Sequence, residues 1–484
     1  MTDSRPPYLH AAGAALGAFL LYVWTLAPTT WFWDTSEYIA TAHILGIPHP
    51  PGNPLFVVIG RVWSLLLAPT GLDVATRINL MAAFTSALAT GFFFLVAWRI
   101  LRGWLEVDGA GRPTASDAAG RWNARLPLIG AWAGALIGAT AFTVWNQSNV
   151  NEKVYTLSVL GIAAASWLAI RWHDRRDRPG SGWLLVAAVY VMVLGSTNHL
   201  MALLPAPAIG LLILSVKPRS LTDPKLLTRG ALAVLLALSF NFFLPIRAEQ
   251  DPVINEGEPV CENLSGAAVA IYSMGRAGCP ALAANLIREQ YQKPSVFHDP
   301  TSDPANPGPR TAGLLAHQLL NYFQYFDWQW ARGLSESEVP GNRRLPVSFL
   351  FLALGAWGLV VSVRSGRGPG VYMGTLAVTL SVALVFYLNF KYGYSLDALA
   401  PEGIDRAARE VRERDYFFIG SFHLWGFLAG MGLVAAWRWA AGGGRSEAGG
   451  RHLALASPLL AVAFIPLVFN LAWADRSEDY SARD

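Results

Sequence analysis

Long apolar runs that alternate with short polar loops are the feature that most constrains this chain. A membrane-spanning helix needs roughly 20 predominantly apolar residues. Only 14% of the 484 residues are charged, against about 25% in a soluble domain. We identify apolar runs near residues 8–27, 78–98, 127–146, 154–172, 183–198, 200–216, 230–245, 346–363, 371–390, 416–437 and 453–472. The pattern predicts an all-α polytopic membrane protein with about eleven transmembrane helices.

The basic residues predict how these helices are oriented. Leu55–Ala68 is only 14 residues long and contains Arg61, so we interpret it as an interfacial helix and not as a span. Basic residues then collect in loops on one side, as the positive-inside rule requires. They are Arg99, Arg102, Arg112, Arg121, Arg125, Arg171, Arg175, Arg176, Arg178, Lys217, Arg219, Lys225, Arg229, Arg364, Arg367, Arg438, Arg445 and Arg451. The N-terminus is predicted to be cytoplasmic, and residues 28–77, 246–345 and 391–415 to lie outside.

Composition narrows the class of protein further. No basic stripe exists outside the predicted inner loops, which excludes nucleic acid as a partner. Arginine outnumbers lysine and alanine is abundant, as in a GC-rich bacterial genome, so we expect the inner (plasma) membrane. Residues 1–475 are predicted to form one transmembrane unit and 476–484 an outer polar tail. Cys261 and Cys279 both fall in the large outer segment, where an oxidising compartment permits a disulfide.

The first outer segment carries the candidate chemistry. Asp34 and Glu37 are three residues apart, a spacing that places both carboxylates on one face of a helix. Partial burial at the membrane surface would raise the pKa of such a carboxylate and suit it to act as a general base. The alternative is that Asp34 caps a helix and Glu37 lies in its first turn. The stretch His49–Pro54 has three prolines and a glycine, and predicts a rigid turn.

These motifs resemble a family of membrane proteins whose animal member is a transmembrane protein O-mannosyltransferase. The resemblance begins with Asp34-x-x-Glu37 and His49-Pro50-Pro51-Gly52-x-Pro54-Leu55. It extends through Trp145 to Glu152-Lys153-Val154-Tyr155, Asn198-His199-Leu200, Pro245-Ile246-Arg247, Asn255-Glu256-Gly257, Arg288-Glu289-Gln290-Tyr291 and Val411–Phe417. The matching motifs occur in the family's order and spacing, and together they extend over most of the chain after residue 31.

The resemblance implies a fold and an activity. The family is similar to the GT-C superfamily of glycosyltransferases, whose first outer loop carries an acidic residue and two juxtamembrane helices, here near 34–46 and 55–68. It implies inverting transfer of a sugar, mannose by analogy, from a polyprenyl-phosphate carrier to an acceptor hydroxyl of a protein or glycan. Asp34 is the first choice for the base and Glu37 the second. The active site is expected on the periplasmic face.

The resemblance also implies substrate-binding residues. The carrier phosphate needs a cation, and the planar fork of arginine binds phosphate oxygens in pairs. Arg247, Arg412 and Arg414 are the candidates, with Arg288 and Lys391 as alternatives. Further expected contacts of the substrates are His49, Pro50, Asn53, Glu152, Tyr155 and His199.

No cofactor is expected. A metal held by Asp34, Glu37 and one or both of His49 and His199 is an alternative, but nothing in their spacing is specific to a metal. His199 is more simply explained as a hydrogen-bonded residue in a tight turn between two spans.

Three other functions remain open. The chain could be a GT-C enzyme for a glycan or lipid acceptor, which would have the same catalytic residues. It could be a transporter or flippase lined by Asn198, Asn241 and Asn470, although no inverted repeat is visible. It could be a membrane scaffold if the carboxylates are only caps. Bacterial members of the family often continue beyond this point into an outer soluble domain, so we expect a shortened form here.

Overall fold

The computed structural model describes residues 5–107, 118–151, 153–441 and 454–482. Within these ranges the chain is helical and has no β-strand, which confirms the predicted all-α architecture. Extended segments meet there only as isolated bridges, at Ile47 with Asn255, His298 with Pro309, and Tyr392 with Arg409. Four residues named above lie outside the described ranges: Glu152, Arg112, Arg445 and Arg451.

The described residues up to Ala248 form eleven α-helices. They are α1 (Tyr8–Trp24), α2 (Thr35–Ile44), α3 (Pro54–Leu66), α4 (Val74–Val107), α5 (Ala118–Thr140), α6 (Phe142–Ser148), α7 (Tyr155–Arg175), α8 (Gly182–Ser196), α9 (Ala206–Val216), α10 (Pro224–Leu238) and α11 (Phe243–Ala248). The two helices predicted in the first outer loop are therefore present, as α2 and α3.

The second half contains α12 (Leu264–Tyr272), α13 (Pro280–Ile287), α14 (Ala312–Ala331), α15 (Leu345–Arg364), α16 (Arg367–Leu380), α17 (Val382–Leu388), α18 (Ile419–Ala440) and α19 (Ile465–Ala474). Short 3-10 turns join or extend helices at Ala68–Thr70, Leu200–Leu203, Pro218–Thr222, Ser239–Phe242, Glu289–Tyr291, Arg332–Leu334, Arg406–Ala408, Asp415–Phe418 and Ser457–Phe464.

Among the described residues, six helical segments are long and apolar enough to cross a membrane, so this is a multi-pass membrane protein. They are Val74–Glu106, Pro224–Ala248, Leu345–Arg364, Arg367–Leu388, Asp415–Ala440 and Ser457–Ala474. The pair α5–α6, bent by 68° between Thr140 and Phe142, would make a seventh. Several other predicted spans are shorter apolar helices. The number eleven and the orientation of the chain therefore stay predictions.

The helix α3 is one of these shorter segments. Its 13 residues extend about 20 Å at 1.5 Å per residue, less than the roughly 30 Å of a bilayer core. Val62, Leu65 and Leu66 are exposed on it, while Phe56 and Val57 pack into the protein. An exposed apolar face on a helix too short to span is what an interfacial helix requires.

Glycines allow the central helices to pack closely. Gly426 and Gly430 of α18 face Gly138 and Gly134 of α5, and a Cβ added to Gly430 would lie 2.2 Å from the backbone nitrogen of Gly134. On the opposite side of α18, a Cβ at Gly432 would lie 1.9 Å from the carbonyl oxygen of Leu354 in α15. Small residues four apart are a common device for close helix contact in membranes. This packing fixes the end of α18 that leads into the site.

The segments predicted to lie outside are joined to one another. The backbone N–H of Ile47 donates to Ile254 O (2.8 Å), and that of Glu256 donates to Ile47 O (3.0 Å). The predicted disulfide between Cys261 and Cys279 is confirmed, with Cα atoms 5.6 Å apart. It joins the chain before α12 to the chain before α13, so the two helices form a clipped hairpin beside the first outer loop.

Candidate active site

Asp34 lies in a turn immediately before α2. Trp33 has a left-handed backbone (φ 65°), and the hydroxyl of Thr35 donates to Phe32 O (2.9 Å). Asp34 occupies the N-cap position, but its side chain makes no capping hydrogen bond. Asp34 thus has the position of a helix cap without the capping hydrogen bond, and Glu37 lies in the first turn of the helix, as the alternative interpretation expected. The side chain turns towards two cations from distant parts of the chain.

The two cations come from the segment before α7 and from the segment before α18. The ammonium group of Lys153 donates to Asp34 Oδ2, and Nη2 of Arg412 lies 3.9 Å from the same oxygen. The Arg412 guanidinium also lies 4.3 Å from the Trp33 ring centre and 5.3 Å from that of Tyr416. Lys153 is buried, whereas the Asp34 side chain is 31% exposed. Solvent or a substrate can thus reach the carboxylate, but not its lysine partner.

The electrostatics of Asp34 differ from the sequence expectation. Burial alone would raise the pKa of this carboxyl, but the hydrogen bond and charge of Lys153, together with the charges of His49 and Arg412, outweigh it. The pKa of Asp34 is therefore lowered, and the predicted raised pKa is wrong. The prediction failed because it considered burial without the cations that folding brings to the carboxylate.

Glu37 and His49 form a separate pair. The Glu37 carboxylate accepts the backbone N–H of His49 (2.6 Å), and its second oxygen lies 2.7 Å from His49 Nδ1. The other ring nitrogen of His49 lies 3.3 Å from the Tyr38 hydroxyl. One carboxylate thus fixes both the backbone and the ring of the histidine. Glu37 lies on α2 one turn after Asp34, so the helix places both carboxylates at one site, as their spacing indicated.

The predicted rigid turn after α2 is present. Gly52 has φ 79°, and Asn53 has φ 40° just before α3. A Cβ on Gly52 would lie 2.6 Å from a methyl group of Leu244, so glycine is required both for the conformation and for the contact. The Asn53 amide donates to Asn198 O, and the Tyr38 hydroxyl donates to Asn53 Oδ1 (3.4 Å). These bonds tie the turn to the loop after α8.

His199 follows Asn198 in the loop that binds this turn, and Tyr155 packs against the His199 ring. Nδ1 of His199 accepts the backbone N–H of Met201 (3.2 Å), as expected for a hydrogen-bonded residue in a tight turn. Burial, with the charge of Arg288 acting in the same direction, lowers the pKa of His199 to about 3. Its ring packs edge-on against Tyr155, which stacks on Tyr416. His199 is therefore a neutral wall residue behind the site.

Two of the arginines expected at the carrier phosphate are bound elsewhere. Arg247 donates through Nε to Leu45 O (2.7 Å), at the C-terminal end of α2. The ten residues of α2 separate that end from Asp34 by about 15 Å at 1.5 Å per residue. Arg414 donates to Glu410 (2.9 Å) and to the Tyr416 hydroxyl (2.8 Å). The alternative Lys391 donates to Ala407 O (2.8 Å).

Arg288 interacts with tyrosines that also interact with the carboxylates of Asp34 and Glu37. It follows α13 with a left-handed backbone (φ 58°), and its charge interacts with four tyrosines. They are Tyr38, Tyr155, Tyr291 and Tyr387. The Tyr291 hydroxyl donates to Pro50 O (3.2 Å), which joins this segment to the rigid turn. Sequence reasoning missed these aromatic residues, apart from Tyr155, because the four come from four separate chain segments.

Residues 34–222 match the sequence model of the family described as the protein O-mannosyl-transferase TMEM260 N-terminal domain. The match starts at Asp34 and contains both carboxylates, the rigid turn, Lys153 and His199. Residues 34–222 of the chain thus carry the N-terminal domain of this family. The membership expected from the quoted motifs is thereby confirmed. Arg288, Arg412 and Arg414 lie beyond the matched segment.

Two curated relatives agree with the family match. The protein O-mannosyl-transferase tmem260 of Dictyostelium discoideum is 33% identical over 79 residues, which is 16% of this chain and 10% of the relative. The protein O-mannosyl-transferase TMEM260 of Mus musculus is 27% identical over 145 residues, which is 29% of this chain and 16% of the relative. The aligned segments thus cover much less than two thirds of either relative.

Proposed function

We propose that this protein is a glycosyltransferase that transfers mannose from a polyprenyl-phosphate carrier to a serine or threonine hydroxyl of a protein. The transfer inverts the anomeric configuration and takes place on the non-cytoplasmic face of the inner membrane. The observation that carries the proposal is the Asp34 carboxylate, solvent-accessible and held by cations from two distant segments, at the first residue of a domain shared with protein O-mannosyl-transferases.

Asp34 is the proposed general base. The acceptor oxygen attacks the anomeric carbon, the bond from that carbon to the carrier phosphate breaks, and the phosphate leaves with the electron pair. The hydroxyl proton passes to Asp34 and then to water. A carboxylate of lowered pKa is a weak base, but the hydroxyl becomes strongly acidic as its oxygen bonds to carbon. A fixed weak base is therefore sufficient when proton transfer is late in the reaction.

Lys153 and Arg412 position this base. Two cations at Oδ2 keep the carboxylate ionised, and the side chain is still exposed enough for an acceptor to reach it. The aromatic rings of Trp33 and Tyr416 hold the Arg412 guanidinium in place. The same half-exposed carboxylate would stabilise positive charge that develops on the sugar in the transition state.

The pair Glu37–His49 is proposed to bind sugar hydroxyls. Both side chains are about one quarter exposed (23% and 26%), so they border the same opening as Asp34. The Glu37 carboxylate already holds the histidine from two sides, and further lone pairs remain for a hydroxyl donor. Pro50 and Asn53 belong to the rigid turn that begins at His49. They are proposed to shape the pocket.

Purified protein in nanodiscs, incubated with radiolabelled polyprenyl-phosphate sugars and with peptide, glycan and lipid acceptors, tests the proposal. The expected result is labelled peptide with an inverted linkage, greatest with the mannose donor, and none with Asp34→Asn. If the label appears only in glycan or lipid, the protein acceptor is rejected and the chain is a GT-C enzyme for a glycan or lipid acceptor. Movement of the donor or another solute across the bilayer without any transfer would reject the transferase in favour of a transporter.

A further inference from the structure

The disulfide-clipped hairpin, residues 261–287, exposes an apolar surface. The sequences of its two helices, α12 and α13, contain no charged residue. Large apolar side chains of the hairpin are between 41% and 62% exposed, namely Leu264, Val269, Tyr272, Met274 and Ile287. A helix that is apolar on its exposed face as well as on its buried face requires a second apolar partner besides the protein core.

The opposite face of the hairpin packs on the protein. Buried side chains of this face form one hydrophobic cluster with the end of a membrane-spanning segment and with the first outer loop. The cluster consists of Ile47, Leu244, Ala248, Ala267, Ala270, Ile271, Cys279 and Leu282. The exposed apolar side chains therefore lie on the face of the hairpin that points away from the helix bundle.

The span on which the hairpin packs gives the depth of the hairpin. Pro224–Ala248 has 25 residues, which extend about 37 Å at 1.5 Å per residue and exceed a bilayer core of roughly 30 Å by about 7 Å. The helix α12 contacts α10. The last residue of α10, Leu238, lies ten positions before Ala248, or about 15 Å along the helix. Even if the whole excess length projects on this side, the contact with α10 lies within the hydrocarbon core.

Phospholipid is the apolar partner at this depth. The most apolar window of the span is only 33% buried in the protein, so most of its surface faces lipid. Tyr272 packs edge-on against Phe242 of the span, with ring centres 6.3 Å apart, and the lipid-facing surface thus continues onto the hairpin. The charged residues of the hairpin lie outside its helices, Glu262 before α12 and Arg276 in the connection to α13. Apolar helices with charged residues at their ends are typical of an element in the membrane interface, where a long arginine side chain reaches the headgroups.

We propose that the hairpin of α12 and α13 is inserted into the leaflet on the side of Asp34, with its exposed face on the acyl chains of phospholipids. The segment 246–345, predicted to lie outside, then has one part within the membrane. The inserted hairpin also holds the rigid turn at the membrane surface. Gly257 lies between Asn285 of α13 and Pro50 of that turn, and a Cβ on Gly257 would lie 1.9 Å from Asn285 Nδ2 and 3.4 Å from Pro50 Cγ. The hairpin and the turn therefore move as one unit.

Site-directed spin labelling of the full chain in phosphatidylcholine nanodiscs tests the insertion. The two cysteines of the sequence form the disulfide, so one introduced cysteine takes one label. Labels on Val269→Cys and Ile287→Cys should be reached by dissolved oxygen and shielded from a water-soluble nickel chelate, at about 5–10 Å below the phosphates. The matched control is Val253→Cys, since this valine before the hairpin is 94% exposed and its label should be reached by the chelate.

Two results would overturn the insertion. Chelate access at Val269 and Ile287 as high as at Val253 would place the hairpin in water. Shielding of both labels from oxygen as well as from the chelate would show that protein covers this face, and a second copy of the chain or another protein would then replace lipid as the partner. If gel filtration shows that one of the two labelled variants is not folded, Leu264→Cys takes its place, since Leu264 is 62% exposed on the same helix as Val269.

A carboxylate on the inserted face tests the connection to the rigid turn. Val269→Glu should displace the hairpin, because a carboxylate is costly in hydrocarbon. The backbone N–H of Ile47, which donates to Ile254 O (2.8 Å), and that of Gly52, which donates to His49 O (3.0 Å), should then exchange with solvent at least about tenfold faster in nanodiscs. Val253→Glu is the control and should exchange as wild type does. Unchanged exchange in Val269→Glu would reject the role of the hairpin in holding the turn. Neither measurement uses a sugar donor or an acceptor, so failure of the proposed function leaves both results valid.

Discussion

Two carboxylates of this protein are paired with basic side chains, in opposite ways. Asp327 at the end of α14 is fully buried beside the buried Arg344, whose Nε lies 2.7 Å from it. Its other oxygen accepts the hydroxyl of Ser348 (2.7 Å), and Arg344 also donates to carbonyls of the loop at Ser335, Ser337 and Val339. Asp34, in contrast, is partly exposed, and Lys153 and Arg412 both approach its Oδ2.

The difference separates a structural pair from a functional one. The Asp327–Arg344 pair satisfies its own polar groups and fixes the loop before α15, so no ligand can enter without breaking it. The Asp34 side chain remains 31% exposed, and its charge interacts with His49 of the Glu37–His49 pair. Charge pairs that are complete stabilise a fold, whereas pairs that leave an accessible lone pair can accept a proton or a hydroxyl.

The first prediction concerns the open cluster. Asp34→Asn should lower the turnover number by about 10²–10⁴-fold, the usual contribution of a general base, because the amide cannot accept the proton. The folded state should persist, since the side-chain volume is kept and no capping bond is lost. Turnover of labelled donor and the thermal midpoint measure the two effects. Wild-type turnover in this variant would remove Asp34 from the role of base.

The second prediction concerns the complete pair. Arg344→Met should destabilise the protein by about 3–5 kcal/mol, because Asp327 is left buried without its cation. The matched control is the double variant Asp327→Leu with Arg344→Met, which should recover most of that loss since neither charge remains. Thermal unfolding in detergent measures both. Equal destabilisation of the single and double variants would show that the loop carbonyls, and not the charge pair, carry the effect.

The sequence predicted the layout of the first outer loop well because local signals determine it. The spacing of Asp34 and Glu37 and the prolines of the following turn act within about 20 residues, and α2, the turn and α3 are all present. Helices broken by short 3-10 turns, as between α10 and α11, were predicted as continuous because hydropathy does not detect a bend.

Long-range contacts limited the prediction of the site. The lowered pKa of Asp34 depends on Lys153 and Arg412, which are 119 and 378 positions away. Likewise, the sequence placed Arg247 just outside a span, but only the fold shows that its guanidinium binds the end of α2. Charge type and membrane depth are visible in a sequence, whereas the partner of a charge is not.

The third prediction tests whether Glu37 positions His49. Glu37→Gln should lower kcat/KM by on the order of tenfold to a hundredfold, less than Asp34→Asn, because the amide oxygen can accept only one of the two bonds from His49. The loss should appear mainly in KM for the sugar donor, as expected for a contact with sugar hydroxyls. His49→Gln is the matched variant and should show the same division. A fall in kcat alone, as large as that of Asp34→Asn, would instead make Glu37 the base.

The fourth prediction uses the lowered pKa of Asp34. Asp34 must be ionised to act, so the rate falls as pH decreases through its folded-state pKa. Lys153→Met removes the largest influence that lowers this pKa and leaves burial, which raises it. The acidic limb of the kcat/KM profile should therefore move to higher pH, with a smaller loss at neutral pH than for Glu37→Gln. Arg99→Met, at the other end of α4, is a control that should leave the limb unchanged.

The fifth and smallest effect is expected within the complete pair. The Ser348 hydroxyl donates to Asp327 Oδ1 (2.7 Å) and is itself buried, so Ser348→Ala leaves one carboxylate oxygen without its donor. The expected loss is about 1–2 kcal/mol of unfolding free energy, since the Arg344 bond remains. Turnover and both KM values should stay at wild-type levels in the folded protein, because this pair has no open oxygen for a substrate. Ser362→Ala is a suitable comparison, as that buried hydroxyl donates only to a carbonyl of its own helix, Gly358 O, and should cost less. If Ser348→Ala instead changed the kinetics without changing stability, the Asp327 pair would belong to the catalytic machinery, and the distinction between complete and open charge pairs would fail for this protein.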